Sequence, residues 1–197
     1  MGIKKIEAIC KASRRIVVLW GGECQWIGDG SAFYPVYGLP ILTEEHIFTM
    51  FDISEDKRSK YLFNETELPA AYNFTDYCDS ELPLVREDIS LIRYGATLIP
   101  LKTSEGITFV NKRYLKPLED GENEYVLCER TDKNGRVYIV AKQGFLLAAV
   151  IMPASVVDQS FVEILKTMYE LSAAKLHNGA QAPVQMNMDR EDSDGEE

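Results

Sequence analysis

The residues that could carry out chemistry in this chain are few, and their spacing matches no known catalytic or metal-binding pattern. The two histidines, His46 and His177, are far apart, and neither belongs to an H-E-x-x-H pair. No two of the four cysteines form a C-x-x-C pair, which is the spacing typical of zinc sites and redox dithiols. Asp76, Asp79 and Glu81 lack the spacing of a calcium loop, so a solvated acidic loop is the better interpretation. We therefore predict no catalytic, cofactor or metal site, and a protein that is not an enzyme.

Glycines are concentrated between Gly21 and Gly30. This segment lacks the Gly-Lys-Ser/Thr of a phosphate-binding loop and the Gly-x-Gly-x-x-Gly of a dinucleotide site. Gly21-Gly22 instead separates two apolar runs, which indicates a hairpin turn.

Charge is spread unevenly along the chain. The net charge is −10, and the last nine residues contribute −5 of it through six carboxylates and one arginine. Such a segment is solvated and self-repelling, so we predict a disordered acidic tail over 178–197. The remaining −5 argues against non-specific binding to nucleic-acid phosphates, which requires a basic face.

Two further features concern location. The first ten residues contain no apolar run of the kind that a signal peptide has. The longest apolar run, 145–153, is far shorter than the roughly 20 residues that cross a bilayer. We expect a cytoplasmic protein without a membrane segment.

Aromatic residues are the strongest candidates for binding a partner. Regular periodicity fails between residues 54 and 87, and loops of that length are usually functional or disordered. We predict a long, partly ordered excursion that contacts a partner through Tyr61, Tyr72, Phe74 and Tyr77. The aromatics of the first hairpin, which include Trp20, Trp26 and Tyr37, are expected to serve mostly as core. They become interface anchors if two or more lie exposed together.

Hydrophobic periodicity predicts the elements that position these residues. Apolar residues at helical spacing predict helices over 2–12, 44–51, 112–118 and 157–174. Thr43 is a suitable N-cap for the second of these helices, and a stripe from Phe161 to Leu171 on the last is expected to pack on a sheet. Apolar runs between turn residues predict strands over 16–20, 24–28, 31–37, 89–101, 107–110, 125–130, 136–142 and 145–152. Pro35 indicates that the third strand is irregular or at an edge.

The two ends of the chain repeat the same order of elements: helix, strand, glycine hairpin, strand, third strand, proline, helix. A single offset of 113 residues aligns three landmarks, Gly22 with Gly135, Pro40 with Pro153 and Phe48 with Phe161. Repeats of this size usually share one sheet or core. We predict an internally duplicated α+β domain with a mostly antiparallel sheet over 1–177, with repeat units at about 2–53 and 111–174 and an inserted segment at 54–110.

One family resemblance lies in the second half of the chain. The segment Phe109-Val-Asn-Lys-Arg-Tyr-Leu-Lys-Pro-Leu118, then two strands, then Leu147-Ala-Ala-Val-Ile-Met-Pro153, resembles the end of a bacterial DNA sliding-clamp domain. The resemblance implies a clamp-like fold, a ring-shaped homo-oligomer, and contact of Lys112, Arg113 and Lys116 with DNA phosphates. The chain departs from clamps because it has length for one such domain and continues into a long helix.

A second resemblance concerns format. Gln25-Trp-Ile-Gly-Asp-Gly30, Met50-Phe-Asp-Ile53 and the small acidic chain are similar to accessory proteins of temperate phages of gut Firmicutes, some of which are anti-CRISPR inhibitors of Cas9. This implies a non-enzymatic protein, in the cytoplasm of a bacterial host, that binds and inhibits a host nucleic-acid-handling enzyme, with Cas9 as the best specific expectation. The clamp resemblance implies the alternative, a DNA-associated replication or recombination factor.

Overall fold

The computed structural model describes residues 2–86, 88–119 and 124–179. Its helices are α1 (Ile3–Ser13), α2 (Glu44–Met50), α3 (Glu55–Arg58) and α4 (Gln159–Gly179). Its strands are β1 (Arg15–Trp20), β2 (Gln25–Gly28), β3 (Ala32–Val36), β4 (Leu62–Glu67), β5 (Leu82–Pro83), β6 (Leu91–Arg93), β7 (Ala96–Thr103), β8 (Gly106–Asn111), β9 (Tyr125–Thr131), β10 (Val137–Gln143) and β11 (Leu146–Ile151). The predicted α+β class with a mostly antiparallel sheet is confirmed. Chain contacts divide the protein into two compact units, Met1–Ser155 and Val156–Glu197.

The large sheet of the first unit has the strand order β4-β1-β2-β3-β11-β10-β9-β5. Of the two alternatives predicted for the third strand, irregular or at an edge, the edge position is wrong, because β3 is paired on one side with β2 and on the other with β11. Its proline is accommodated because the β11 pairing is made at Ala32 and Phe33, while Pro35 lies beyond it, opposite Trp26 of β2. A proline removes a ladder donor, and here the affected position has no β11 partner.

Two three-strand meanders meet at the β3–β11 pair. Gly22, with φ of 74°, lies in the turn between β1 and β2, and Gly135, with φ of 80°, lies in the turn between β9 and β10. Both glycines therefore occupy left-handed turn positions, as the 113-residue offset predicts. The order of strands is mirrored about the β3–β11 pair. Superposition of the two halves, which internal duplication requires, stays a prediction.

The inserted segment supplies both edges of the large sheet. Strand β4 pairs in parallel with β1, and β5 pairs with β9 at the opposite edge. Sequence reasoning missed β4 because five of its six side chains are exposed and it lacks apolar alternation. Residues 68–81, which we call the strap, connect the two edges across one face of the sheet.

The later part of the inserted segment forms a separate three-stranded sheet, with the strand order β6-β7-β8. The predicted helix over 112–118 consists of two 3₁₀ turns, Lys112–Tyr114 and Lys116–Leu118. The Asn111 side chain accepts a hydrogen bond from the Arg113 N–H, which caps the first turn. Pro117 lies near the start of the second turn, where the N–H that proline lacks would have no partner within the turn.

Hydrophobic side chains cover both faces of the large sheet, which explains the uninterrupted apolar run of β1. Ile16 and Val18 belong to one buried cluster, together with residues of α1 and α2. Val17 and Leu19 point the opposite way into a second cluster, against which the strap packs. Successive side chains of a strand alternate between faces, so a strand buried on both sides needs no polar positions.

The second unit contains α4, whose N-terminus is capped by Asp158, where the carboxylate accepts a hydrogen bond from the Phe161 N–H at 2.7 Å. Phe161 is buried, but Ile164, Met168 and Leu171 are 52%, 59% and 68% exposed. Of these four residues of the stripe that was expected to pack on a sheet, Phe161 is the one that is buried. The helix includes residues 178 and 179, where the tail was predicted to start, and the rest of the predicted tail, 180–197, lies outside the described residues.

Candidate functional site

An apolar surface surrounds the turn between β1 and β2. Trp20, Tyr37, Leu39 and Ile41 are 43%, 57%, 44% and 73% exposed, and all four line one groove of about 370 Å³. We call these four residues the hairpin surface. The sequence flagged Trp20 and Tyr37 as anchors if they lay exposed together, and they do. It missed Leu39 and Ile41, which stand in a loop with Gly38 and Pro40, where apolar residues have no strand or helix to bury them.

The hairpin surface is held in place by Gln25. Its Nε2 donates a hydrogen bond to the Pro40 carbonyl at 2.8 Å, and its Oε1 accepts one from the Leu42 N–H at 2.7 Å. Gln25 belongs to β2, so the 38–42 loop is anchored to the sheet at two backbone groups. Anchoring reduces the entropy that a binding surface loses when it meets a partner.

Carboxylates border the hairpin surface. Glu23 lines the groove itself, and Glu67 of β4 is the register partner of Trp20 across the parallel β1–β4 ladder. Glu65 lies two residues back on the same exposed edge strand. An apolar centre with an acidic border favours a partner that presents positive charge.

A second cavity of about 550 Å³ adjoins this groove and shares with it the residues of the hairpin turn, Gly21 to Cys24, and Tyr37. We call it the hairpin pocket. Aromatic side chains make up much of its lining, namely Trp26, Tyr37, Tyr72 and Phe74. Glu23 and Asp76 are its charged lining residues, and both are acidic.

Two polar groups of the hairpin pocket, the Tyr37 hydroxyl and the Cys24 thiol, have raised pKa values. Burial raises the pKa of Tyr37 to about 12, and the neighbouring Cys24, Asp76 and Glu23 act in the same direction. Burial also raises the pKa of the Cys24 thiol, against the opposing effect of its hydrogen bond with Tyr37. Thiolate is the reactive form of cysteine, so Cys24 is a poor nucleophile at neutral pH.

The four aromatics predicted to contact a partner occupy two kinds of position. Tyr61 packs against the buried cluster that contains residues of α1 and α2. Tyr72 and Phe74 of the strap pack against the second cluster. Phe74 stands edge-on to Trp26 with ring centroids 5.0 Å apart. Tyr77 is 73% exposed. Three of the four therefore contribute to the packing of the fold, and Tyr77 remains available on the surface.

The strap is fastened to the sheet through Arg130, which is fully buried. Its guanidinium donates to Glu81 Oε2 at 2.8 Å and to the carbonyls of Asn73 and Thr75 at 3.0 and 2.9 Å. Lys142 donates to the other oxygen of Glu81 at 2.9 Å. The interpretation of this segment as a solvated acidic loop is wrong for Glu81, because it lies in a paired and largely buried network.

The predicted DNA-contacting residues lie together. Lys112, Arg113 and Lys116 line one groove of about 530 Å³, together with Tyr94 at the turn between β6 and β7. Tyr94 is 87% exposed. The groove combines cations with an aromatic ring, as nucleic-acid surfaces often do.

Arg113 differs from the two lysines because it also holds the fold together. It donates to Asp29 Oδ2 at 2.9 Å, and its guanidinium lies over the Tyr114 ring at 4.7 Å. Asp29 is buried and also accepts a hydrogen bond from the Tyr114 hydroxyl at 3.1 Å. Replacing Arg113 would leave a buried carboxylate without its cation, so Lys112 and Lys116 are the informative positions for a binding test.

The histidine His46 has a local structural role. It is the third residue of α2, and its Nδ1 accepts a hydrogen bond from the Thr43 N–H at 3.3 Å, completing a capping box with Thr43. Within residues 2–86, 88–119 and 124–179, no cluster of three or more histidine, cysteine, aspartate or glutamate side chains could hold a metal ion.

Comparison with known proteins identifies no family to which this chain is similar. No protein-family model, no curated protein and no solved structure matches it. Among the helices that the structure describes, none combines the length and the apolar character that crossing a bilayer requires. The resemblances to sliding-clamp domains and to phage accessory proteins stay predictions.

Proposed function

We propose that this protein is a non-enzymatic accessory protein of a phage or mobile element that binds a nucleic-acid-handling enzyme of its bacterial host and inhibits it. Cas9 is the best specific candidate. The observation that carries the proposal is the hairpin surface, where exposed apolar side chains including Trp20 and Tyr37 line one groove beside acidic residues.

The physical argument joins two properties of the protein. Tryptophan and tyrosine dominate the energetics of protein interfaces, because they bury a large area at low entropic cost. A net charge of −10 steers the protein towards the basic channel in which such an enzyme holds nucleic acid. Charge therefore governs how fast the proteins meet, and the hairpin surface governs how long they stay together.

The direct test measures target cleavage by purified Cas9 with its guide RNA, in the presence of three forms of this protein. The wild type is expected to slow cleavage, with an association rate that falls as salt rises. Trp20→Ser with Ile41→Ser should weaken inhibition at least about tenfold, mainly through faster dissociation. The matched control, Ile92→Ser with Ile107→Ser, removes exposed apolar residues from the small sheet and should inhibit like the wild type.

Affinity capture from a bacterial host extends the test to other enzymes. A true partner must be retained by the wild type and by the small-sheet control, and lost by the Trp20/Ile41 variant. If Cas9 is not inhibited and no nucleic-acid enzyme shows this pattern, the proposal fails.

A second candidate function, a clamp-like DNA-associated factor that assembles into a ring, is favoured by the groove that contains Lys112 and Lys116. It predicts binding to duplex DNA at low salt, and loss of binding in Lys112→Glu with Lys116→Glu. The matched control is Lys57→Glu with Lys60→Glu, at lysines that do not line this groove. Clear DNA binding that only the groove variant loses would overturn the inhibitor proposal.

A further inference from the structure

The geometry points to the hairpin pocket as a receptor for one arginine side chain, which the partner inserts between the aromatic rings and the two carboxylates of the pocket. This inference rests on the proposed function. It specifies that the positive charge favoured by the acidic border of the hairpin surface is the guanidinium group of an arginine.

Three of the four aromatic side chains that line the pocket, Trp26, Tyr72 and Phe74, pack against other aromatic rings. Trp26 is 2% exposed, and Phe74 is held edge-on to both Trp26 and Phe33, at 5.0 and 6.1 Å between ring centroids. Tyr72 stacks edge-on to Tyr138 at 5.1 Å. Because these contacts belong to the core beneath the strap, the rings do not need to be ordered when a ligand arrives.

The charged part of the pocket is acidic. Glu23 and Asp76 line it, and no lysine or arginine is among its lining residues in the described part of the chain. Asp76 is oriented by a hydrogen bond that its Oδ1 accepts from the Leu147 N–H at 2.7 Å. That bond uses one oxygen, and a carboxylate has a second oxygen that accepts hydrogen bonds.

These two parts match a guanidinium group better than other cations. A guanidinium is planar, stacks on aromatic faces, sheds water more readily than an ammonium and pairs with carboxylates through two donors. A cation over an aromatic ring gains further attraction from the ring quadrupole. The cavity of about 550 Å³ lies within the usual size range of small-ligand sites, so an arginine side chain fits.

The test uses N-acetyl-arginine amide as the probe and Trp26 as the reporter. The chain has two tryptophans, so Trp20→Phe leaves Trp26 as the sole indole emitter. N-acetyl-citrulline amide has the same shape without the charge and serves as the ligand control. We expect a saturable change in emission with the arginine probe and about tenfold weaker binding of the citrulline probe.

Protein variants made in the Trp20→Phe background test whether the two carboxylates are responsible for binding of the arginine probe. Glu23→Gln with Asp76→Asn should weaken arginine binding about tenfold, and the asparagine keeps an acceptor for the Leu147 N–H. Glu55→Gln with Asp56→Asn removes equal charge from α3 and should bind like its parent. Melting temperature and dispersion of amide NMR signals verify that each variant is folded.

Three results would overturn the inference: no saturable response in the folded parent, equal binding of the citrulline probe, or unchanged binding after loss of both carboxylates. Failure of the inference is distinguishable from failure of the proposed function. If the Trp20/Ile41 variant loses the partner while the Glu23/Asp76 variant keeps it, the hairpin surface is the docking site and the pocket is not an arginine receptor.

Discussion

At the scale of single residues, Arg130 shows how one buried cation organises a long segment. Its guanidinium pairs with Glu81 and donates to the carbonyl groups of Asn73 and Thr75, so the strap meets the sheet at several points around one side chain. Lys142 shares the same carboxylate. Buried charges persist in proteins when they are paired and hydrogen-bonded in this way.

Removing Arg130 should therefore destabilise the protein strongly. Arg130→Met leaves Glu81 with Lys142 as its one cation and the carbonyls of Asn73 and Thr75 without this donor, and we expect a loss of about 3–5 kcal/mol in the free energy of unfolding, measured in urea. Lys142→Met is the control, because Glu81 keeps Arg130, and its cost should be about 1 kcal/mol. Equal costs for the two variants would contradict the central role of Arg130.

The same network predicts a dependence on pH. Burial acts to raise the pKa of Glu81, but hydrogen bonds from Lys142 and Arg130 and their charges outweigh it and lower the pKa below its ordinary value. A carboxyl with a lowered pKa stabilises the fold above its unfolded pKa, and this stability is lost as pH falls through the folded pKa. Unfolding free energy should thus fall below about pH 4. The fall should be shallower in Glu81→Gln, whereas Glu105→Gln, at an exposed turn, should follow the wild type.

At the scale of elements, the strap is part of the fold. It joins β4 at one edge of the large sheet to β5 at the other and covers the second buried cluster on its way. A segment of this kind has little regular structure of its own, yet its side chains contribute to the core.

The packed and exposed aromatics of the strap should respond differently to truncation. Phe74→Ala removes a half-buried ring that contacts Trp26 and Phe33, and we expect a loss of about 2–3 kcal/mol, below the roughly 3–5 kcal/mol of a fully buried phenylalanine. Tyr77→Ala, at a position 73% exposed, should leave the melting temperature nearly unchanged. A large loss at Tyr77 and none at Phe74 would show that the strap is placed wrongly.

Helix α4 offers a comparable pair of positions. Phe161 is 5% exposed and Met168 is 59% exposed on the same helix. Phe161→Ala should cost about 3–5 kcal/mol, and Met168→Ala less than about 1 kcal/mol, in chemical unfolding. A midpoint that does not move in Phe161→Ala would contradict the burial of this side chain.

At the scale of the whole molecule, charge is concentrated at the C-terminal end of the sequence. Residues 180–197 carry −5 of the net −10 and contain no aromatic residue. Their contribution is expected to be electrostatic.

Truncation after Gly179 should separate stability from association. The melting temperature should change by less than about 2 °C, because an acidic sequence without aromatic residues has little apolar surface to contribute to stability. Association with a basic partner should slow at low salt and converge with that of the full chain at high salt. A large drop in melting temperature would show that these residues pack on the folded protein.

The sequence by itself determined the features that depend on neighbouring residues. Asn134-Gly135 between two apolar runs predicts the β9–β10 hairpin, and Thr43 predicts the start of α2, since turns and caps are satisfied within a few residues. The apolar run of β1 likewise predicts a buried strand from its own side chains. Trp20 and Tyr37 were identified as anchors on condition of exposure, and that condition could not be evaluated without the fold.

Only the tertiary structure decided which side chains stay on the surface. Tyr72, Phe74, Trp20 and Tyr37 are all aromatic, so the sequence does not distinguish them. Tyr72 and Phe74 pack against the second cluster, whereas Trp20 and Tyr37 line an open groove. Asp29 and Arg113 form an ion pair although they are 84 residues apart in sequence. Strand β4 forms because its backbone pairs with that of β1. Exposure and long-range pairing depend on what distant parts of the chain bring into contact, and local periodicity does not contain that information.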